Sequence, residues 1–312
     1  MKHVLLTGAG GFVGKVLKRY LIEAGFKVTG TTHLPPSEHE TDLIQLDIRN
    51  SHDVSAAVQQ CKPTHVVHLA AVTHVPTSFD DPQRTWQTNV MGTLNLLEAV
   101  KSSAPNAFVL FVSSSEVYGA SFKSGDPLQE NARCQPMNPY AASKLAAELL
   151  MHQFFKQGHC GAIARPFNHI GPGQSADFVT GSFAKQIANI EHNTQETTIK
   201  VGNLDAYRDF LDVRDVCHAY IALLKHCKKI EHQKVFNIAS GKPVKIADVL
   251  STLLSHSSAK ITIEQDPSRL RPSDIPIAAG DCREIERVTG WKPLHTIDNT
   301  LMSLLNDWRS RR

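Results

Sequence analysis

The stretch "LLTGAGGFVG" near the N-terminus constrains the fold more than any other: a short apolar run, then Gly8, Gly11 and Gly14 in the spacing GxxGxxG, then a helical pattern. Val4 to Thr7 reads as a short buried strand, and Lys15 to Ala24 as a helix with Val16, Leu17, Tyr20 and Leu21 on its inner side. A second strand is expected over Lys27 to Thr31 and a third ending at Leu46. Strand, glycine turn, helix and strand together begin a doubly wound parallel sheet. In that setting glycine lets the backbone turn tightly and lets a pyrophosphate reach free amides at the positive helix end. The expected fold class is therefore α/β, a Rossmann-type doubly wound parallel sheet, with Gly8, Gly11, Phe12, Val13 and Gly14 around the phosphates of a dinucleotide.

A chain of 312 residues exceeds a usual single core, so a second, smaller lobe is expected. Lys plus Arg number 33 against 30 for Asp plus Glu, a balance that gives no ground for nucleic acid or an anionic membrane as main partner. Any anionic ligand must be met by a local cluster. The apolar run after Met1 is far too short for a signal peptide, and no segment approaches the roughly 20 apolar residues of a membrane span. The six cysteines form no CxxC pair and the sixteen histidines are scattered, so reduced thiols in a cytoplasmic protein without a metal site are expected.

At the end of the second strand an acidic residue would favour NAD by bonding the ribose hydroxyl. Thr31, Thr32 and His33 stand there instead, which points to NADPH, with NADH possible, although no arginine is adjacent in sequence. Asp47, with Ile48 beside it, would either accept from the adenine amine or cap its own loop. His65 to Ala71 reads as a further buried strand whose Leu69, Ala70 and Ala71 let a cofactor lie against the backbone. Asn89 is expected to begin a long amphipathic helix, as a cofactor contact or else as an N-cap or hydrogen-bonding core residue. The strand "AFVLFVSSS" delivers Ser113, Ser114 and Ser115 to the carboxyl edge of the sheet, where ligands collect. In "PYAASKLAAE", Tyr140 and Lys144 lie about one turn apart on one helix face, where the ammonium would lower the pKa of the phenol.

With GxxGxxG, Ser114 three residues before Val117 of "VYG", and YxxxK at Tyr140 and Lys144, the chain resembles the extended short-chain dehydrogenases/reductases. These are the nucleotide-sugar epimerases, dehydratases and reductases. "RPFNHIGPGQ", "FAKQIANIE", "VGNLDAYRDFLDVRDV" and "RPSDIPIAAGD" are similar to the GDP-6-deoxy-D-mannose reductases within that family. The resemblance implies reduction of GDP-4-dehydro-6-deoxy-D-mannose to GDP-D-rhamnose, with Ser114, Tyr140 and Lys144 catalytic. It implies cofactor contacts at Gly8, Gly11, Phe12, Val13, Gly14, Thr32, Asp47, Ile48, Leu69, Ala70, Ala71, Asn89, Tyr140 and Lys144. Substrate contacts are implied at Ser114, Glu116, Asn168, Lys185, Arg208 and Arg271. It further implies a dinucleotide-binding domain over 1–165 and 212–242, and a nucleotide-sugar domain over 166–211 and 243–312. A homodimer is implied too, through a four-helix bundle of the helices bearing Leu94, Leu97, Leu145 and Leu149. Asp209, Asp212, Arg214 and Asp215 are expected to form a structural salt-bridge network.

Glu116 keeps a second activity open, because in the related 4,6-dehydratases an acid at this place removes the proton from carbon 5; its other reading is a bond to backbone or a sugar hydroxyl. A GDP-mannose 4,6-dehydratase or a 4-epimerase are the enzymatic alternatives. A non-catalytic dinucleotide-binding regulator is the alternative from another class.

Overall fold

The computed structural model describes residues 2–35, 43–230, 235–269 and 275–311. The chain opens with β1 (His3–Thr7), α1 (Phe12–Glu23), β2 (Lys27–Thr32), β3 (Leu43–Gln45), α2 (Ser51–Cys61) and β4 (His65–His68). Two short helices, α3 (Val75–Asp80) and α4 (Pro82–Trp86), precede α5 (Gly92–Ser103), β5 (Phe108–Val112) and α6 (Pro139–Lys156). Next come β6 (Gly161–Pro166), β7 (Asn168–Ile170), α7 (Val179–Glu191), β8 (Thr198–Val201), β9 (Tyr207–Asp212) and α8 (Val213–Lys225). The remainder is β10 (Val235–Ile238), β11 (Pro243–Lys245), α9 (Ile246–Ser255), β12 (Thr262–Gln265), β13 (Ile277–Ala278), α10 (Arg283–Thr289) and α11 (Ile297–Ser310).

Seven strands form one parallel sheet in the order β10-β6-β5-β4-β1-β2-β3. Alternation along β1 sends Val4 and Leu6 to one face, where they pack with Leu17 and Leu21 of α1 and Val216 and Tyr220 of α8. Leu5 points to the other face, against Val54 and Val58 of α2, Leu96 of α5 and Met151 of α6. Burying each leucine-sized side chain contributes about 1.5–3 kcal/mol, so both faces hold the sheet from either side. The strand order reverses direction between β1 and β4, and their carboxyl ends open the crevice where ligands bind in such sheets.

A polar chain ties those two strand ends together. Ala70 N–H donates to Thr7 Oγ1 at 3.2 Å, and Thr7 Oγ1 meets His68 Nδ1 at 2.7 Å. His68 Nε2 meets Thr93 Oγ1 at 3.0 Å, and that hydroxyl donates to the carbonyl of Asn89. Because Thr93 spends its hydrogen on Asn89, the partners assign the His68 proton to Nε2. Burial holds this imidazole neutral, its pKa lowered to about 3.

A smaller core lies outside the large sheet. There β9 pairs with β7, β11 and β13, β8 pairs with β12, and α7, α9 and α11 pack around Ile187, Phe210, Leu250 and Leu304. The expected division assigns all of 243–312 to this lobe, yet Ile285 of α10 and Trp291 are buried in the α1 face of the large sheet. Trp291 Nε1 donates to the carbonyl of Asp215 at 3.0 Å, which is what turns this segment back.

The charged run at the start of α8 is structural, but its members turn to separate partners rather than forming one salt-bridge network. Asp212 caps α8 through Arg214 N and pairs with the Arg214 guanidinium at 2.6 Å. Asp215 meets His295 Nδ1 at 2.9 Å, and Asp209 accepts from the amides of Ser240 and Gly241.

Two boundaries differ from the sequence reading. The helix after the glycine turn starts at Phe12, so Phe12, Val13 and Gly14 form its first turn. The helix expected to begin at Asn89 runs from Pro82 to Ser103 with a π turn at Gln87–Met91, which puts Asn89 inside it.

Candidate active site

The glycine turn is built by close backbone approach. Gly8 has φ +73°, and a Cβ there would lie 2.9 Å from the nitrogen of Ala70; a Cβ on Gly14 would lie 2.1 Å from the carbonyl oxygen of Gly8. Gly11 is the N-cap of α1, no side chain caps it, and the first turn carries no acid. The amides of Phe12, Val13 and Gly14 therefore point from the helix start without a capping acceptor, a cradle suited to a pyrophosphate. The residues present thus fit a dinucleotide along this edge.

Thr32 stands beside the turn, its Oγ1 2.9 Å from where a Gly10 Cβ would sit. Asp47, Arg49, Asn50, Gln87 and Met91 line an open recess of about 460 Å³. Arg49 reaches both oxygens of Asp47, with Nη2 to Oδ2 at 2.6 Å, and Arg49 N donates to Oδ1 at 3.0 Å. The paired guanidinium holds the Asp47 carboxyl below its ordinary range, and the charge of His33 acts on it in the same direction. Asp47 is therefore a loop-capping aspartate whose two oxygens are bound by Arg49 at the edge of the recess. Arg49 is a cation at this recess that sequence adjacency to Thr32 and His33 does not reveal.

Leu69, Ala70 and Ala71 are half-buried and follow β4 against Gly8. Two of the expected cofactor contacts turn inward instead. The Ile48 side chain is buried in the core beside Gly92, and its carbonyl accepts from Asn95. The Asn89 amide donates to Val72 O at 3.0 Å and Ser143 Oγ at 2.9 Å, and its oxygen accepts from Val72 N at 2.8 Å. Asn89 is thus a hydrogen-bonding core residue that fixes the Ala70–Val72 wall to α6, and both its amide hydrogens are engaged by protein.

Ser114 and Tyr140 come together. The phenol hydrogen-bonds with Ser114, whose Oγ also accepts from Glu116 N at 3.2 Å. Tyr140 is placed by Pro139 at the helix start, by the Asn138 cap, and by Ser78, which accepts from its backbone amide at 3.2 Å. Lys144 lies one turn further along α6, only 3% exposed, its Nζ 4.5 Å from the centre of the Phe111 ring. Ser113 faces away, donating to Glu148, which holds Arg165 in a buried fork; it is a shell residue, as expected.

Burial pushes the Tyr140 phenol up to about 12; the Ser114 hydrogen bond opposes this and the Glu116 carboxylate adds to it. Burial also pulls Lys144 down to about 7, against the pull of Glu148. Among the protein's own groups the expected lowering of the phenol by Lys144 does not appear: burial sets the direction, and Ser114 rather than Lys144 is the group that opposes it. Tyr140 is held as a proton donor.

On the substrate side, Asn168 begins β7 beside Arg208-bearing β9. Arg208 Nη1 donates to the carbonyls of Tyr207 and Ile275, and its charge interacts with Glu116. The Glu116 charge thus acts on both the Tyr140 phenol and that arginine. Lys185 turns elsewhere than expected: its Nζ lies 5.9 Å over the Trp308 ring, on the α11 side of α7. The next face of α7 carries Ser182, which accepts from Arg269 Nη1 at 3.0 Å, a pair the sequence reading missed. Arg271 lies outside the described residues.

Among the described residues no group of three or more His, Cys, Asp or Glu could hold a metal, and no helix is long and apolar enough to cross a membrane. Residues 5–304 match the protein family described as GDP-mannose 4,6 dehydratase. The GDP-6-deoxy-D-mannose reductase of Pseudomonas aeruginosa is 40% identical over 315 residues, covering 99% of this chain and 98% of the relative. The GDP-6-deoxy-D-talose 4-dehydrogenase of Aggregatibacter actinomycetemcomitans is 30% identical over 292 residues, covering 92% and 91%. Among solved structures, RMD from Pseudomonas aeruginosa complexed with NADPH matches with a TM-score of 0.89 at 38% identity, covering 100% of both chains.

Proposed function

The chain belongs to the GDP-mannose 4,6 dehydratase family, and from that premise we propose that it reduces the 4-keto group of GDP-4-dehydro-6-deoxy-D-mannose with NADPH, giving GDP-D-rhamnose. The observation that carries this reading is the end-to-end likeness to a GDP-6-deoxy-D-mannose reductase, 40% over 99% of the chain. The site chemistry agrees with it. A ketone reduction needs an acid at the carbonyl oxygen, and Tyr140 is held protonated, whereas an oxidation would need it as a base.

NADPH supplies the hydride when bound. Ser114 and Tyr140 bind the substrate carbonyl oxygen, Ser114 stabilises the charge that develops there, and Tyr140 Oη gives up the proton. Lys144 holds the nicotinamide ribose and supports the phenol from one turn away. The amides of Phe12, Val13 and Gly14 receive the pyrophosphate, and Thr32, His33 and Arg49 border the adenosine end. Asn168, Arg208 and Arg271 meet the GDP moiety, whose diphosphate calls for paired, planar cations.

The protein works in the cytoplasm as a homodimer through α5 and α6. Leu149 of α6 is 63% exposed, and Trp86 of the neighbouring α4 is also exposed, an apolar surface that a second copy would cover. Leu97 takes no part, being buried in its own core.

The test is absorbance at the reduced-nicotinamide band, with the 4-keto substrate generated in place from GDP-mannose. Stoichiometric loss of the band with appearance of a GDP-6-deoxyhexose supports the reductase. Conversion of GDP-mannose by this protein alone, with no loss of the band, moves the activity to dehydration.

A further inference from the structure

The catalytic residues reach the site on two separate segments, and one side chain joins them. Ser114 and Glu116 belong to a single turn of 3-10 helix after β5, while Tyr140 opens α6. Asn138 Oδ1 accepts from Ala141 N at 2.7 Å, capping α6, and Asn138 Nδ2 donates to Glu116 Oε2 at 3.1 Å. Since the cap needs an acceptor, the amide can turn only its donor toward the carboxylate. Glu116 N in turn donates to Ser114 Oγ, the atom that bonds the Tyr140 phenol. The bonds close a ring that runs from the α6 cap through Glu116 and Ser114 back to Tyr140.

We propose that Asn138 is a positioning residue that fixes the Ser114 hydroxyl against the Tyr140 phenol by gripping Glu116 and the start of α6 at once. The inference rests on the ketone-reductase reading above. The two segments are otherwise tied at Gln135, whose amide donates to Tyr118 O at 3.2 Å and whose carbonyl accepts from Ala120 N at 2.9 Å. Those bonds set the loops side by side but lie beyond the reacting end. The Asn138–Glu116 bond instead holds the residue whose backbone amide donates to Ser114 Oγ, next to the reacting end. Among the described residues, Tyr140 from α6 and Arg208 from β9 are the ionisable groups that interact with the charge of Glu116. Asn138 thus holds an acid whose charge acts on both the proton donor and a substrate-side cation.

A simple cap would account for half of this geometry, and serine separates the halves. Asn138→Ser keeps a hydroxyl acceptor for the α6 amide but cannot span to Glu116. The melting temperature and the NADPH KM should stay near wild type, while kcat falls about tenfold or more, the scale of a misplacement approaching 1 Å. Asn138→Asp keeps the cap fully and sets a carboxylate against Glu116. Its kcat should fall too, with partial recovery on acidification as the two carboxylates come to share a proton. A crystal structure of the serine variant reads the clamp without substrate, and Ser114 Oγ should leave hydrogen-bond distance of Tyr140 Oη. The proposal is overturned if the folded serine variant keeps kcat within twofold of wild type, or if the aspartate variant loses kcat by the same factor at every pH. It is overturned equally if the Ser114–Tyr140 contact is unchanged in the crystal. A wild-type protein that reduces no ketone defeats the reductase reading, whereas the crystallographic result still decides the clamp.

Discussion

Replacing Lys144 by methionine should make the protein more stable while abolishing its chemistry. The amine is buried on α6 and its pKa falls from 10.5 to about 7. Between those values the unfolded chain binds a proton that the folded chain has shed, so stability rises with pH across the window from about 7 to 10.5. At about 1.4 kcal/mol for each pH unit across that window, the buried amine costs on the order of 4 kcal/mol at neutral pH relative to alkaline solution. The Phe111 ring, 4.5 Å from Nζ, returns about 1 kcal/mol as a cation–π contact. Methionine fills the same slot with an unbranched apolar chain and leaves Glu148 in its fork with Arg165, so a gain of about 2–3 kcal/mol is expected at pH 7. The assay is urea unfolding of both proteins at pH 6, 7.5 and 9. The advantage of Lys144→Met should shrink by about 2–3 kcal/mol between pH 6 and pH 9. A variant no more stable than wild type, or an advantage independent of pH, would refute the claim that burial depresses this amine.

Gly14→Ala should cost about 3 kcal/mol, the upper range for overpacking, because its Cβ would sit 2.1 Å from a backbone oxygen that cannot move aside. Gly11→Ala, whose nearest atom would lie 3.3 Å away, should melt close to wild type, and equal melting of the two variants contradicts the packing argument. Arg49→Ala should raise the NADPH KM about tenfold while changing the NADH KM far less, as expected for loss of a charge-assisted bond to the 2'-phosphate. Equal effects on both cofactors would remove Arg49 from phosphate recognition. Leu149→Glu should yield monomers in sedimentation, and an unaltered sedimentation coefficient places the dimer interface elsewhere.

What was legible in the sequence is local. The buried strand and glycine turn announce themselves because Gly11 and Gly14 answer to the nearby Gly8 carbonyl, within seven residues of chain, although Gly8 itself answers to the distant Ala70. Ser114 and Tyr140 are legible as a pair because the edge of a parallel sheet and the start of a helix are fixed places for ligand chemistry. The features that escaped depend on distant contacts. Arg49, three residues past Leu46, follows the strand that pairs with the end of β2, because β2 and β3 lie side by side and Leu46 N bonds Thr32 O. Lys185 follows Trp308, more than a hundred residues away, because α7 packs on α11. The π turn at Gln87–Met91 leaves no periodic signal, and Asn89 within it bonds Val72 and Ser143, far along the chain. The direction of the Tyr140 shift is set by burial, which a helical spacing of four residues does not report.

The most direct test of the central claim is nuclear magnetic resonance of the sugar product formed with NADPH deuterated at carbon 4 of the nicotinamide. The account predicts deuterium at carbon 4 of a GDP-linked 6-deoxyhexose, one atom per NADPH consumed. A product without the label, formed from GDP-mannose with NADPH unconsumed, would contradict it.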